Sequence, residues 1–297
     1  MPADLRVLVL GGHGQLGTAL AAAARPGGPV VLAPGRADAD VTSRASLDAA
    51  LGAARPDLVV NAAAYTAVDR AEAEAERCFA VNRDGAGFAA AACAARRLPL
   101  IHVSTDYVFD GASGRPYGED DAPAPINCYG ASKAAGEAAA RNGTARLAVL
   151  RTSWLFGERG PSFVHAILRQ AGRGAPLRVV ADQLGRPTAA AQLAGVILRL
   201  AAGLAERDAG WGTFHAIGGP AASWHGFANA VLAAAYGDAA PAVTPVPTSA
   251  YPTPAARPRR SVLGGDRLLA EHGIGALNWR AGLPEMVRAL RAPLPAA

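Results

Sequence analysis

The sequence predicts an α/β protein in which a doubly wound parallel sheet, covered by helices on both faces, is followed by a smaller C-terminal α/β domain. Three observations predict it. Short apolar runs alternate with Ala-rich stretches through the first half of the chain. Those runs are continuously hydrophobic rather than alternating, the mark of strands buried on both faces of a parallel sheet. After Trp154 the rhythm breaks into shorter elements punctuated by "GERGPS", "QLGRPT" and "GGPAASW".

The elements follow in order. "RVLVLGG" reads as a buried strand and "QLGTALAAAAR" as the helix after it; "PVVLAPG" is a second strand, "SRASLDAALGAA" a helix and "DLVVNAAA" a third strand. A long helical region spans Glu72 to Arg97, then come the strand "LPLIHVSTD", a helix starting near Tyr129 and the strand "RLAVLRTSW". Repeated βα units with right-handed crossovers give an open sheet. The first domain is therefore placed at residues 1–153, with later segments near 187–217 returning to it, and the second mostly at 154–297. In the tail, prolines 241, 245, 247, 252, 254 and 258 exclude helix and predict an extended segment packed on the second domain.

Composition narrows the function. At 297 residues and 51% hydrophobic, the chain can bury one large core or two modest ones. The formal charge is +5, but the basic residues are scattered and lack the aromatic-interleaved stripe of a nucleic-acid surface. No apolar stretch reaches membrane-spanning length. Cys78, Cys93 and Cys128 are widely spaced, which reads as free thiols in a cytoplasmic protein. The six histidines show no metal-ligand spacing, so no metal site is predicted.

The glycine loop points to a ligand. "VLVLGGHGQLGTAL" sets Gly11, Gly12, Gly14 and Gly17 between the first strand and the first helix. Glycine there lets backbone N–H groups approach a pyrophosphate at a helix N-terminus, which makes the domain Rossmann-type and dinucleotide-binding. An NAD site would carry an acid about 20 residues beyond the loop. Arg36 stands near that place, with acids at 38 and 40, so the arginine is expected to pair with the 2′-phosphate of NADPH, NADH remaining the alternative. Asp40 and Val41 are candidates to edge the adenine.

Lys133 is the sole lysine among 29 Lys and Arg residues, and it stands four residues after Tyr129. On a helix the two share a face. A phenol is a poor acid–base catalyst at neutral pH. An ammonium about 5 Å away is worth roughly 3 kcal/mol at an effective dielectric near 20, enough to draw the phenol down from its usual range. Lysine also offers rotatable donors where a guanidinium is rigid. Thr105, at the end of the strand "IHVSTD", can orient a carbonyl or the phenol, with Ser104 its rival.

With these residues in hand, the chain resembles the extended short-chain dehydrogenase/reductase superfamily, and within it the dTDP-4-dehydrorhamnose reductases. The resemblance rests on "GGHGQLG", "DLVVNAAAYTAVDRAE", "VSTDYVFDG", "YGASKAAGE", "RTSWLFG", "DQLGRPT" and "YPTPAARPRRSVLGGDRL". It implies that Tyr129 donates the proton, Lys133 holds ribose and tunes Tyr129, and Thr105 assists. It further implies that Gly14, Gln15 and Leu16 cradle the pyrophosphate, and Gly11 and Gly17 of the same loop are expected to bind the cofactor with them. Ala63, Ala64 and Tyr65 would line the cofactor, and Thr105, Asp106, Tyr129 and Trp154 would touch a dTDP-sugar. Arg186 reads either as a partner of the diphosphate or as a turn residue. The implied reaction is reduction of the C4 ketone of dTDP-4-dehydrorhamnose to dTDP-L-rhamnose by NADPH or NADH, with the 4-ketoreductase of another dTDP-deoxysugar as the alternative substrate reading and a cofactor-binding regulatory subunit as the non-enzymatic one. A magnesium requirement and a homodimer, seen in some relatives, stay open.

Overall fold

The computed structural model describes residues 4–291. Its first half runs β1 (Arg6–Leu10), α1 (Gln15–Ala23), β2 (Val30–Leu32), α2 (Arg44–Ala54), β3 (Leu58–Asn61), α3 (Val68–Ala71), α4 (Ala75–Phe79), α5 (Gly85–Ala95), β4 (Leu100–Thr105), α6 (Cys128–Gly143) and β5 (Leu147–Thr152). There follow β6 (Leu155–Phe156), α7 (Phe163–Gly172), β7 (Leu177–Val180), β8 (Leu184–Gly185), β9 (Thr188–Ala189), α8 (Ala190–Arg207) and β10 (Gly212–His215). The chain closes with β11 (Gly218–Gly219), β12 (Ala222–Ser223), α9 (Trp224–Tyr236), β13 (Val243–Val246), α10 (Asp266–His272), β14 (Leu277–Asn278) and α11 (Trp279–Arg291).

Six parallel strands form the main sheet in the order β2-β1-β3-β4-β5-β10. The predicted doubly wound sheet is therefore present. Strand order reverses between β1 and β3, and a crevice opens at such a switch point beyond the strand ends. The continuous apolar run of β1 is explained by its two faces. Val7 and Val9 pack with Leu16 and Leu20 of α1 and Leu193 and Ile197 of α8. Leu8 and Leu10 pack on the opposite face with Leu47 and Leu51 of α2 and Ala89 and Cys93 of α5. Each such side chain contributes roughly 1.5–3 kcal/mol when fully buried.

The expected helix from Glu72 to Arg97 is not continuous. α4 passes through a π-turn at Ala80–Asp84 before α5 begins. The turn seats Asn82, whose Nδ2 donates to Tyr65 O at 3.1 Å and to Ser132 Oγ at 2.8 Å. Its carbonyl also lies close to Gly136, where an added Cβ would stand 2.1 Å away, so α6 can press onto the turn.

A second core gathers Val164 and Ile167 of α7, Phe227 and Val231 of α9, and Trp279 and Leu283 of α11. β13 pairs in parallel with β7, placing Pro245 opposite Val179. That is the edge position a proline tolerates. The proline-rich stretch holds the strand Val243–Val246 and a 3-10 turn at Thr248–Ala250, and it contains no α-helix. No helix among the described residues is long and apolar enough to cross a membrane.

Candidate active site

The glycine loop divides by what each residue meets. A Cβ at Gly11, where φ is +79°, would lie 2.7 Å from the Ala63 backbone, and one at Gly12 2.2 Å from Ala33 O. At Gly17 it would lie 2.4 Å from Gly11 O. These three glycines are demanded by the chain's own close packing. Gly14 is different. It is the N-cap of α1 with no side-chain cap, and a Cβ there would approach only Gly11 O, at 3.2 Å. Glycine at this position leaves the positive end of α1 bare.

That bare end opens on a cavity of about 800 Å³. Gly11, Gly14, Gln15 and Leu16 line one end of it; Gly17 does not, and the expected cofactor contact is corrected to a packing role beneath the loop. Arg36, Asp40 and Val41 line it, as do Ala63, Ala64 and Tyr65. Arg36 Nε pairs with Asp40 at 3.1 Å and remains mostly exposed. Burial would raise the Asp40 carboxyl, but hydrogen bonds from Thr42 and Arg36 outweigh it and hold it below the usual range. Such a bare helix end, a rim arginine and a long cleft fit a dinucleotide.

Tyr129 and Lys133 reach the same cavity from the first turns of α6. Asn127 caps that helix, its Oδ1 accepting from Gly130 N at 2.7 Å. Gly130 allows the close approach, because a Cβ there would sit 2.1 Å from Tyr107 O. The turn after β4 is thereby pressed against the helix start, and the Thr105 hydroxyl acts on the Tyr129 phenol to lower it, against the larger upward push of burial. Thr105 Oγ1 also donates to Asp106 at 3.1 Å. Its rival Ser104 is committed elsewhere, donating to Glu137 Oε1 at 2.6 Å.

Lys133 is 2% exposed, and its Nζ donates to Val103 O at 2.7 Å. Burial pulls it down to about 8, with Glu137 working the other way. Tyr129 departs from expectation. Burial pushes the phenol up, and the Thr105 hydroxyl recovers part of the rise. The expected fall beside an ammonium is absent because desolvation dominates and Lys133 is turned to the Val103 carbonyl. Below the pair, Glu137 continues the same face at i+8 and takes Arg151 through Nε and Nη2, at 2.9 and 2.8 Å.

At the far end, Trp154 has φ +47° and stacks on Trp224 with ring centroids 3.5 Å apart. Gly185 makes room for it, since a Cβ there would lie 2.3 Å from the Trp154 ring. Asp106 lines the cavity while only 2% exposed, and Ser261 Oγ donates to its Oδ2. Arg186 is corrected: it does not line the cavity but is half-buried, with Nη1 on Gly218 O at 3.4 Å. Trp224 and Ser261 escaped sequence reasoning. Both meet the site across long separations that no local spacing encodes. No group of three or more His, Cys, Asp and Glu side chains is gathered for a metal among the described residues.

The family model described as the RmlD substrate binding domain matches residues 5–292. The dTDP-4-dehydrorhamnose reductase of Burkholderia thailandensis is 41% identical over 296 residues, covering 96% of this chain and 99% of that protein. Its counterpart in Sinorhizobium fredii is 40% identical over 291 residues, covering 96% and 98%. Among solved structures, the dTDP-4-dehydrorhamnose reductase of Bacillus anthracis, in complex with NADP, aligns with a TM-score of 0.88 at 33% identity, covering 95% of this chain and 98% of that one. The match runs through the glycine loop, the Tyr129 helix and the C-terminal tail alike, and on it the chain belongs to the RmlD substrate binding domain family.

Proposed function

We propose that this protein is an NAD(P)H-dependent oxidoreductase that reduces the C4 ketone of dTDP-4-dehydrorhamnose to dTDP-L-rhamnose. The observation that carries the reading is convergence: Tyr129, Lys133 and Thr105 face one cavity with the uncapped N-terminus of α1. Two relatives that cover 96% of the chain at 41% and 40% identity are named for this reaction.

A bound reduced nicotinamide supplies the hydride. The remaining work falls to the chain. N–H groups in the first turn of α1 hold the pyrophosphate, and Arg36 at the rim takes a 2′-phosphate, which favours NADPH over NADH. Tyr129 passes its phenolic proton to the ketone oxygen as negative charge develops there. Lys133, held against Val103, keeps a positive charge beneath the phenol and meets ribose hydroxyls. Trp154, braced by Trp224, gives the sugar a flat apolar wall. In this reading residues 1–153 together with 187–217 hold the nucleotide, and most of 154–297 holds the sugar. Three free thiols support a cytoplasmic setting.

The test is anaerobic incubation with NADPH and a panel of dTDP-4-keto sugars, following loss of reduced-nicotinamide absorbance and identifying the product epimer. Turnover of dTDP-4-dehydrorhamnose to the L-rhamno product is expected, with Tyr129→Phe losing at least 100-fold in kcat, the lower range for a positioned proton donor. A Tyr129→Phe variant with near-normal turnover would overturn the assignment.

A further inference from the structure

We propose that Thr152 orients the nicotinamide ring, its hydroxyl hydrogen-bonding the ring's carboxamide. The inference rests on NAD(P)H occupying the cavity, and it adds a contact that neither the glycine loop nor the Tyr129 helix supplies. Thr152 ends β5, is only 6% exposed and lines the cavity. Its Oγ1 has no hydrogen-bond partner among the described residues. Buried side-chain atoms of His102, Glu119, Arg186, Gln192 and Arg260 share that condition, but none of those residues borders the cavity. A buried polar atom without a partner is costly to the fold and calls for a reason. At Thr152 the reason is a partner that arrives with a ligand.

Strand alternation says which ligand. Successive side chains of β5 point to opposite faces of the sheet. Leu147 and Val149 pack with Ala89 and Cys93 of α5, and Arg151 reaches Glu137 of α6 on that side. Ala148 and Leu150 pack on the other face with Leu16 of α1 and Leu193 of α8. Thr152 continues this second series. Its hydroxyl therefore enters from the face of α1, whose bare N-terminus takes the pyrophosphate, while Tyr129 and Lys133 enter from the face of α6. Beyond β5 the chain stays with the nucleotide end: Gln15 Nε2 donates to Arg159 O at 3.2 Å, and Leu155, Gly160 and Pro161 line the cavity. A dinucleotide with its adenine end near Arg36 and its pyrophosphate on α1 points its far end toward β5. That strand lies four strand spacings from β2, roughly 19 Å.

The neighbouring hydroxyls are already engaged. Thr105, the register partner of Thr152 on β4, donates to Asp106 at 3.1 Å and accepts from Tyr107 N at 3.2 Å. Ser104 donates to Glu137, and Ser153 donates to Arg186 O at 2.6 Å. Thr152 is left for the cofactor. A hydroxyl donates and accepts, and so does a carboxamide, so the two match in either sense. One such bond fixes the ring about its glycosidic link, and with it the face that meets the ketone.

The experiment compares Thr152→Val, which keeps the shape, with Thr152→Ser, which keeps the hydroxyl. Calorimetric titration is run with NADPH and with 2′-phospho-ADP-ribose, the same nucleotide without nicotinamide. Thr152→Val is expected to weaken NADPH by roughly 3-fold to 10-fold, the range of one neutral hydrogen bond, and to leave phospho-ADP-ribose within about twofold of the parent. Thr152→Ser is expected to restore NADPH affinity. Without nucleotide, Thr152→Val is expected to unfold at no lower temperature than the parent, because no partner inside the protein is lost. A lower unfolding temperature would reveal such a partner and overturn the proposal. Equal weakening of both nucleotides would also overturn it, as would unchanged NADPH affinity with a raised KM for the sugar nucleotide. Failure of the underlying reading looks different, because the parent would then bind neither nucleotide.

Discussion

Arg151 on β5 grips Glu137 on α6 with two nitrogens, and neither side chain is more than 2% exposed. Ser104 and Arg141 add to the same carboxylate. The pair fixes α6 to the sheet one turn below Lys133. Glu137→Gln leaves a buried guanidinium without its counter-charge and is expected to cost on the order of 3–5 kcal/mol, read from denaturant unfolding. Burial alone would raise Glu137, but Arg151 overrides it and holds it at about 2. A folded-state value below the unfolded one gives stability that is present above the usual carboxylate range and lost as pH falls through about 2. His215, which burial keeps down to about 4, is lost earlier: the unfolded chain takes up its proton first as pH drops below the usual imidazole range. Acid unfolding is expected to follow both steps, with Glu137→Gln missing the lower one.

Lys133 is enclosed, and its ammonium is placed by the Val103 carbonyl. A guanidinium is larger and planar, and cannot reproduce that point contact. Lys133→Arg is expected to lose at least 100-fold in kcat, close to the loss in Lys133→Met, although it keeps the charge. Steady-state rates of both variants check this. An active Arg variant would show that charge alone suffices.

Arg36 stands mostly exposed at the cavity rim with Asp40 as its partner. A charge-assisted hydrogen bond is worth about 1.5–3 kcal/mol, so Arg36→Ala is expected to weaken NADPH by roughly 10-fold to 100-fold. NADH, which lacks the 2′-phosphate, is expected to bind within about twofold of the parent. Fluorescence titration with both cofactors separates the outcomes; equal losses would remove Arg36 from the phosphate.

Gly185 lies against Trp154 so closely that a methyl group must displace the ring. Gly185→Ala is expected to raise KM for the sugar nucleotide about tenfold, a change of about 1.4 kcal/mol, while NADPH affinity holds. An unchanged KM, with tryptophan fluorescence also unaltered, would show that the Trp154–Trp224 stack is not a wall of the sugar site.

The sequence made some parts of this legible for identifiable reasons. β1, β3, β4 and β5 are continuous apolar runs because both faces of the sheet are covered, and periodicity reports burial directly. The Tyr129–Lys133 face follows from helix geometry alone. The break at Ala80–Asp84 was hidden because an Ala-rich stretch carries little contrast between faces, and Asn82 finds its partners only in three dimensions. Gly17 and Gly14 look equivalent in the string, yet one meets backbone and the other borders the cavity. Arg186 beside a predicted turn gave no sign of its direction, and Asp106 gave none of its burial. Both depend on distant segments, Gly218 for one and Ser261 for the other.

Asn127 works in two directions at once, capping α6 through Oδ1 while Nδ2 donates to Ala256 O at 2.8 Å. One amide thus rivets the start of the Tyr129 helix to a strand of chain 129 positions later. The geometry that aims the phenol is therefore held from both ends of the polypeptide.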